Sequence, residues 1–193
     1  MGKNFSCNNV SRKRRVADSY ATPYSLTRLF LDTGALLKEA PTLEPACGEG
    51  AITKVLAEYG FKDVKAFDLE QGQDFLTYNE PVSQLITNPP YSLAYEFIQH
   101  SKKIVKNRFA LLLPLSYLHG KRRFDNIWKD REFGLRSVSV FTRYPMLGDP
   151  LREDGKHRTG MMVYAFFFWE KGCYGAPQIQ WLDNNAYILK RGE

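Results

Sequence analysis

Apolar positions along the chain follow two periods. From Pro23 they recur at Leu26, Leu29, Phe30, Ala35 and Leu36, close to helical spacing, and a proline suits a first helical turn. A second helical pattern covers 51–59 and closes on Gly60, a common stop signal. Ala94, Phe97, Ile98 and Ile104 predict a helix over 93–106, and Phe124 and Ile127 predict another within 121–131. Between these patterns lie short runs at 42–44, 64–67, 84–87, 109–113, 138–141 and 161–169 that read as strands. The run 109–113 is continuously apolar, as in a parallel strand buried on both faces. Strands alternating with helices predict an α/β protein, a parallel sheet covered on both sides.

The 193 residues suffice for one well-filled domain. We expect that domain over 20–193. Residues 1–19 are polar and basic, with Ser11, Arg12, Lys13, Arg14 and Arg15 in a run, and read as a flexible basic N-terminal arm. An inserted loop is expected over 142–160, where Pro145, Gly148, Pro150 and Gly155 accompany Arg143, Arg152, Lys156 and Arg158. No apolar run approaches the ~20 residues of a membrane helix, and no apolar stretch follows the N-terminal charges as in a signal peptide. The three cysteines, Cys7, Cys47 and Cys173, lack metal-ligand spacing and argue against a disulfide framework, so a cytoplasmic location is expected. The net charge of +6 tilts the partner toward a polyanion such as nucleic acid.

Two turns carry candidate chemistry. The first is Glu44-Pro45-Ala46-Cys47-Gly48-Glu49-Gly50, between a predicted strand and a helix. Glycines allow close backbone approach to a ligand, and the helix N-terminus supplies unpaired amides. The phosphate-loop pattern is absent, and Glu44 and Glu49 would repel a pyrophosphate. They suit a ligand with a cationic amino group and a sulfonium. Asp68, after the second strand, is placed to accept hydrogen bonds from ribose hydroxyls. A tight turn with no ligand is the alternative.

The second turn, Asn88-Pro89-Pro90-Tyr91, follows a predicted buried strand. Its prolines stiffen the backbone and remove donors. What remains are two acceptors, the Asn88 amide oxygen and the Pro89 carbonyl, and an aromatic face on Tyr91. Two acceptors aimed at the hydrogens of an aromatic amine favour the tetrahedral nitrogen that attacks a methyl group. No strong base is required, because the proton leaves once the nitrogen is cationic. The alternative is a turn that only ends a strand.

Together these turns resemble the amino-methyltransferases that modify adenine at N6 in DNA, over about 20–170. Glu44 to Gly50 is similar to their cofactor motif, and Asn88-Pro89-Pro90-Tyr91 to their catalytic motif. Tyr20-Ala21-Thr22-Pro23 and Asp74-Phe75-Leu76 are similar to two further cofactor segments. The resemblance implies a Rossmann-like, seven-stranded, mostly parallel sheet with helices on both faces (the class I methyltransferase fold), with 161–169 as the antiparallel strand. It implies S-adenosyl-L-methionine as cofactor. Tyr20, Thr22 and Pro23 would line its methionine end, and Glu44, Ala46 and Gly48 its amino-acid part. Asp68 would hold the ribose and Asp74 the adenine amine, while Phe75 would pack on the adenine ring. Asn88 and Pro89 would bind the target amine, Pro90 would complete the turn, and Tyr91 would stack on the base. No metal or membrane is implied.

The chain departs from many DNA-modifying members in leaving no room for a separate target-recognition domain. Recognition would then be short, relaxed or supplied by a partner subunit, and single strands would avoid the cost of base flipping. DNA is the favoured substrate, and RNA adenine is the nearest rival. A protein-glutamine methyltransferase or a non-catalytic binding subunit stand further off. Lys121, Arg122 and Arg123 read either as phosphate contacts or as a solvated helix start. His119 reads as a loop residue, the run 166–169 as a buried strand, and Cys47 as a small turn residue without a nucleophilic role.

Overall fold

A computed structural model describes residues 21–143, residue 145 and residues 162–185. The expected arm over 1–19, Tyr20 and all of the expected loop except Thr142, Arg143 and Pro145 lie outside the described residues.

The elements run α1 (Tyr24–Asp32), β1 (Thr42–Glu44), α2 (Ala51–Glu58), β2 (Val64–Ala66), β3 (Val82–Thr87), α3 (Ala94–Ile104), β4 (Val105–Pro114), α4 (Lys121–Arg123), β5 (Phe133–Phe141), β6 (Tyr164–Lys171) and β7 (Gln178–Leu182). Seven strands form one sheet in the order β2-β1-β3-β4-β6-β5-β7. Strand β6 is antiparallel to both β4 and β5, and every other pairing is parallel. Helical crossovers return the chain to the starting edge before each of β2 and β4, which makes those strands parallel. Strand β6 enters at the edge where β5 ends, so it can only run back.

The strand register sorts side chains by parity. Ile86, Ala110, Leu112, Phe166 and Phe168 point to one face, under Leu26 and Phe30 of α1 and Ile52, Val55 and Leu56 of α2. Leu85, Phe109, Leu111, Leu113, Phe167 and Trp169 point to the other, under Ala94, Phe97 and Ile98 of α3 and under Ile127. The middle of β4, 109–113, and of β6, 165–169, is therefore apolar throughout, as expected for a sheet buried on both faces. Arg28, buried on α1, donates Nε to Glu58 Oε2 at 3.1 Å and clamps α1 to α2.

Four sequence expectations shift. The first helix stops at Asp32, and Ala35 and Leu36 lie beyond a turn in which Gly34 adopts φ 72°. The helix expected over 121–131 is one α-turn followed by a π-turn, Phe124–Trp128. Its anchor is Trp128, stacked on Trp169 with centroids 6.1 Å apart and planes 5° apart. The last apolar run is displaced, and its strand occupies Tyr164–Lys171. The seventh strand, Gln178–Leu182, was not among the six runs: as an edge strand it leaves Ile179 and Trp181 exposed, so polar and apolar residues mix along it.

Candidate active site

From β1 the chain steps to β2 on one side, then crosses to β3 on the other. Open α/β sheets bind ligands at such a reversal, outside the carboxyl ends of the strands. The turn after β1, the end of β2 and the turn after β3 all lie at that end of the sheet.

The glycine turn is pulled over β2. Phe67 N–H donates to the Glu44 carbonyl and Cys47 N–H to the Phe67 carbonyl, both at 3.1 Å. Gly50 N–H closes the turn on the Cys47 carbonyl at 2.8 Å. Gly50 caps α2 with φ 80°, a conformation that costs other residues about 1–2 kcal/mol. Asp68 then latches the turn: its Oδ2 accepts the Gly48 N–H at 2.8 Å and its Oδ1 the Glu70 N–H at 3.0 Å. A carboxylate offers about four lone-pair sites, so capacity for ligand hydroxyls remains.

Glu44 ends β1 and is 1% exposed. The Thr53 hydroxyl, on the first turn of α2, donates to its Oε2. Burial pushes the Glu44 carboxyl up to about 8, the Asp68 charge adding to the effect and the Thr53 hydrogen bonds opposing it. The group is therefore mostly protonated near neutral pH. Burial also pushes the Cys47 thiol up, with Glu44 and Asp68 adding to it, which disfavours the nucleophilic thiolate. Glu49 is exposed and Ala46 half-buried against the core.

The second turn leaves β3 at Thr87. Asn88, Pro90 and Tyr91 are half-buried and Pro89 is buried. Pro90 caps a short 3-10 turn, Tyr91–Leu93, that leads into α3. Asn88 Nδ2 donates to Thr22 Oγ1 at 3.1 Å, and Thr22 is itself 4% exposed. Residues far apart in sequence are thus joined, with Pro23 buried beside them as the cap of α1. The same orientation turns the Asn88 amide oxygen away from Thr22. The Tyr91 ring stacks on Tyr164, the first residue of β6, with centroids 5.4 Å apart.

Asp74 and Phe75 sit on the connection from β2 to β3. Asp74 is exposed and caps a 3-10 turn, its Oδ1 accepting the Leu76 N–H at 2.9 Å. The Phe75 ring is 2% exposed and packs on Phe97 and His100 in the core. Thr53 and Tyr164 were not anticipated. Thr53 is signalled only by a hydroxyl one turn into the helix after Glu44, and Tyr164 only by its place at the head of an apolar run.

The donor set suits S-adenosylmethionine. Gly48 and Gly50 let the backbone approach a ligand, and Asp68 places a carboxylate beside the first turn of α2, whereas burial keeps Glu44 a neutral carboxyl there rather than the charged group expected from the sequence. Among the described residues no group of His, Cys, Asp or Glu is placed to hold a metal ion. Nor, among them, is any helix long and apolar enough to cross a membrane.

No family model matches the chain, and no curated protein matches its sequence. Solved structures do match. A Pyrococcus horikoshii protein described as an RNA methyltransferase aligns over 80% of this chain and 88% of its own, with TM-score 0.58 and 14% identity. The methyltransferase subunit of a type I restriction-modification system from Streptococcus thermophilus aligns over 86% of this chain, with TM-score 0.57 and 14% identity. TrmN from Thermus thermophilus aligns over 79% of this chain, with TM-score 0.52 and 16% identity. The chain spans about half the length of these last two, 48% and 50%. Sheet order, the single reversed strand and these alignments agree: the chain has the Rossmann-like class I methyltransferase fold.

Proposed function

We propose that this protein transfers a methyl group from S-adenosylmethionine to the N6 amine of adenine in nucleic acid, with DNA as the favoured substrate. The observation that carries the reading is the Thr22–Asn88 hydrogen bond, which draws the 21–23 segment onto the Asn-Pro-Pro-Tyr turn beside the glycine turn. The cofactor supplies an electrophilic methyl group when bound. Glu44, Ala46, Gly48 and Asp68, with Thr22 and Pro23, would hold it, and Asp74 would meet its adenine amine; the Phe75 ring, expected on the adenine, is instead buried on Phe97 and His100 and anchors the Asp74 segment to the core. The Asn88 amide oxygen and the Pro89 carbonyl accept hydrogen bonds from the target amine and favour its tetrahedral form. Pro90 keeps the turn stiff, and Tyr91 stacks on the target base. Catalysis then rests on positioning and preorganised acceptors rather than on a strong base.

RNA adenine is the second reading. It is favoured by the likeness to a protein whose name describes RNA methylation. A partner subunit that supplies target recognition is compatible with either, since one similar structure is itself a subunit. The test is methyl transfer from labelled S-adenosylmethionine to double-stranded DNA, single-stranded DNA and total RNA in parallel. Products are digested to nucleosides and identified by mass spectrometry. N6-methyladenosine in one pool, as ribo- or deoxyribonucleoside, supports the reading and names the substrate. A methylated product other than N6-methyladenosine refutes it, and methylation of none, with the cofactor bound, refutes it for this chain acting alone.

A further inference from the structure

The segment after β4 lies beside the catalytic turn and has no part in the site described above. It begins with a 3-10 turn, Leu115–Leu118, continues through Gly120 and enters the α-turn and π-turn of 121–128. π-turns are rare and recur at functional sites.

Two guanidinium groups here lie over tyrosine rings. Arg122 Cζ is 3.7 Å from the centroid of Tyr95, and Arg123 Cζ is 4.5 Å from that of Tyr117. Tyr95 lies one helical turn beyond Tyr91, on α3. Tyr117 lies just past β4, whose end adjoins that of β3. Both pairs therefore stand at the carboxyl end of the sheet, which carries the Asn-Pro-Pro-Tyr turn. Burial pushes the Tyr117 phenol up to about 12, so the ring stays neutral. Arg123 is held further by Nε, which donates to the His119 carbonyl at 2.7 Å. Gly120 makes room for it: a Cβ there would meet the Arg123 guanidinium at 2.8 Å. A third pair follows, with Lys129 Nζ 4.6 Å from the Phe124 centroid and Phe124 half exposed.

The local charge is positive. Lys121, Arg122, Arg123 and Lys129 face two carboxylates, Asp125 and Glu96. Asp125 pairs with Lys121 and Lys129, and Glu96 lies 3.9 Å from Arg122. These ion pairs are exposed, and such pairs contribute little, so a phosphate can replace them. Cations fixed over aromatic faces can track the phosphates of a single strand, and Phe124, half exposed, offers ring surface for a base.

We propose that Lys121, Arg122 and Arg123, backed by Tyr95 and Tyr117, bind the sugar-phosphate backbone of a single-stranded nucleic acid that presents its base to the neighbouring catalytic turn. This rests on the reading of that turn as a site of nucleic-acid methylation. The tyrosines hold the guanidiniums in place before the strand arrives, so little side-chain freedom is lost on binding.

The experiment is fluorescence anisotropy with labelled DNA and RNA single strands of about 12 nucleotides, within the known range of strand-binding sites. The wild type is compared with Arg122→Gln/Arg123→Gln over about 50 to 200 mM salt. The variant should bind at least tenfold more weakly at low salt. Its salt slope should fall by about 1.4, since each lost phosphate contact on a single strand contributes about 0.7. Arg122→Lys/Arg123→Lys should keep the wild-type slope while losing a few-fold in affinity, an outcome that a merely structural role would not give. Unchanged affinity and slope in the Gln variant overturn the proposal. Equal loss on a duplex of the same sequence overturns the single-strand assignment. Retained S-adenosylmethionine binding in each variant reports that the fold is intact. The two readings separate cleanly: strand binding through these arginines without methyl transfer by the wild type refutes the catalytic reading and not the surface.

Discussion

Glu44→Gln should remove a pH dependence of stability that the wild type carries. The side chain is 1% exposed, and burial raises its carboxyl from the ordinary 4.5 to about 8. In the unfolded chain the group ionises near the lower value. Between the two values the native state holds a proton that the unfolded state has released. The stabilisation is therefore complete below the lower value, and is lost as pH rises toward the upper one, by about 1.4 kcal/mol per unit. From pH 5 to pH 7 the wild type should lose about 3 kcal/mol through this group alone. Glutamine is nearly isosteric, still accepts the Thr53 hydroxyl and does not titrate. Other groups titrate in both proteins, so the difference between the two profiles isolates Glu44. Urea unfolding of the cofactor-free protein, followed by tryptophan fluorescence, reads it. The two should be about equally stable at pH 5. At pH 7 the wild-type midpoint should lie lower by roughly 1–2 M, for a slope of about 2 kcal/mol/M. Parallel profiles would refute both the protonated state and the buried environment assigned to Glu44.

Asn88→Ala should abolish methyl transfer while largely sparing S-adenosylmethionine binding, measured by radiolabel transfer beside calorimetry; wild-type turnover would remove Asn88 from the reaction. Asp68→Ala removes the acceptor of two backbone amides, Gly48 and Glu70. It should weaken cofactor binding at least tenfold, on the scale of about 1.5–3 kcal/mol for a hydrogen bond to a charged group. Unchanged affinity would place the ribose elsewhere.

Much of this molecule was legible because its information is local. The 42–44 strand coincides with β1, and the alternation of strand and helix gave the α/β class. The shape of the two turns could be read because it depends on neighbours in sequence: glycines where the backbone must turn left-handed, prolines where it must be stiff. The last apolar run lies within a few residues of β6, because a run such as 166–169 is apolar on both faces only deep in a sheet, while its reversed direction followed only from the family resemblance. Even the break between a strand ending at Thr87 and a helix opening at Ala94 follows from residues 88–93.

What the sequence left open depends on contacts between distant segments. The edge strand Gln178–Leu182 is visible only through its pairing with β5, because an edge strand keeps one flank open and needs no apolar run. The π-turn at 124–128 arises where Trp128 must meet Trp169. The raised Glu44 carboxyl depends on α2 and Asp68 closing over it, since desolvation is a property of the whole surrounding volume. The ties from Asp68 to Gly48, from Thr22 to Asn88 and from Arg122 to Tyr95 likewise require the sheet to assemble first. The sequence by itself determined which residues could bear the chemistry. The tertiary structure decided which of them meet, and in which charge state, because both depend on where the sheet order brings the strand ends together.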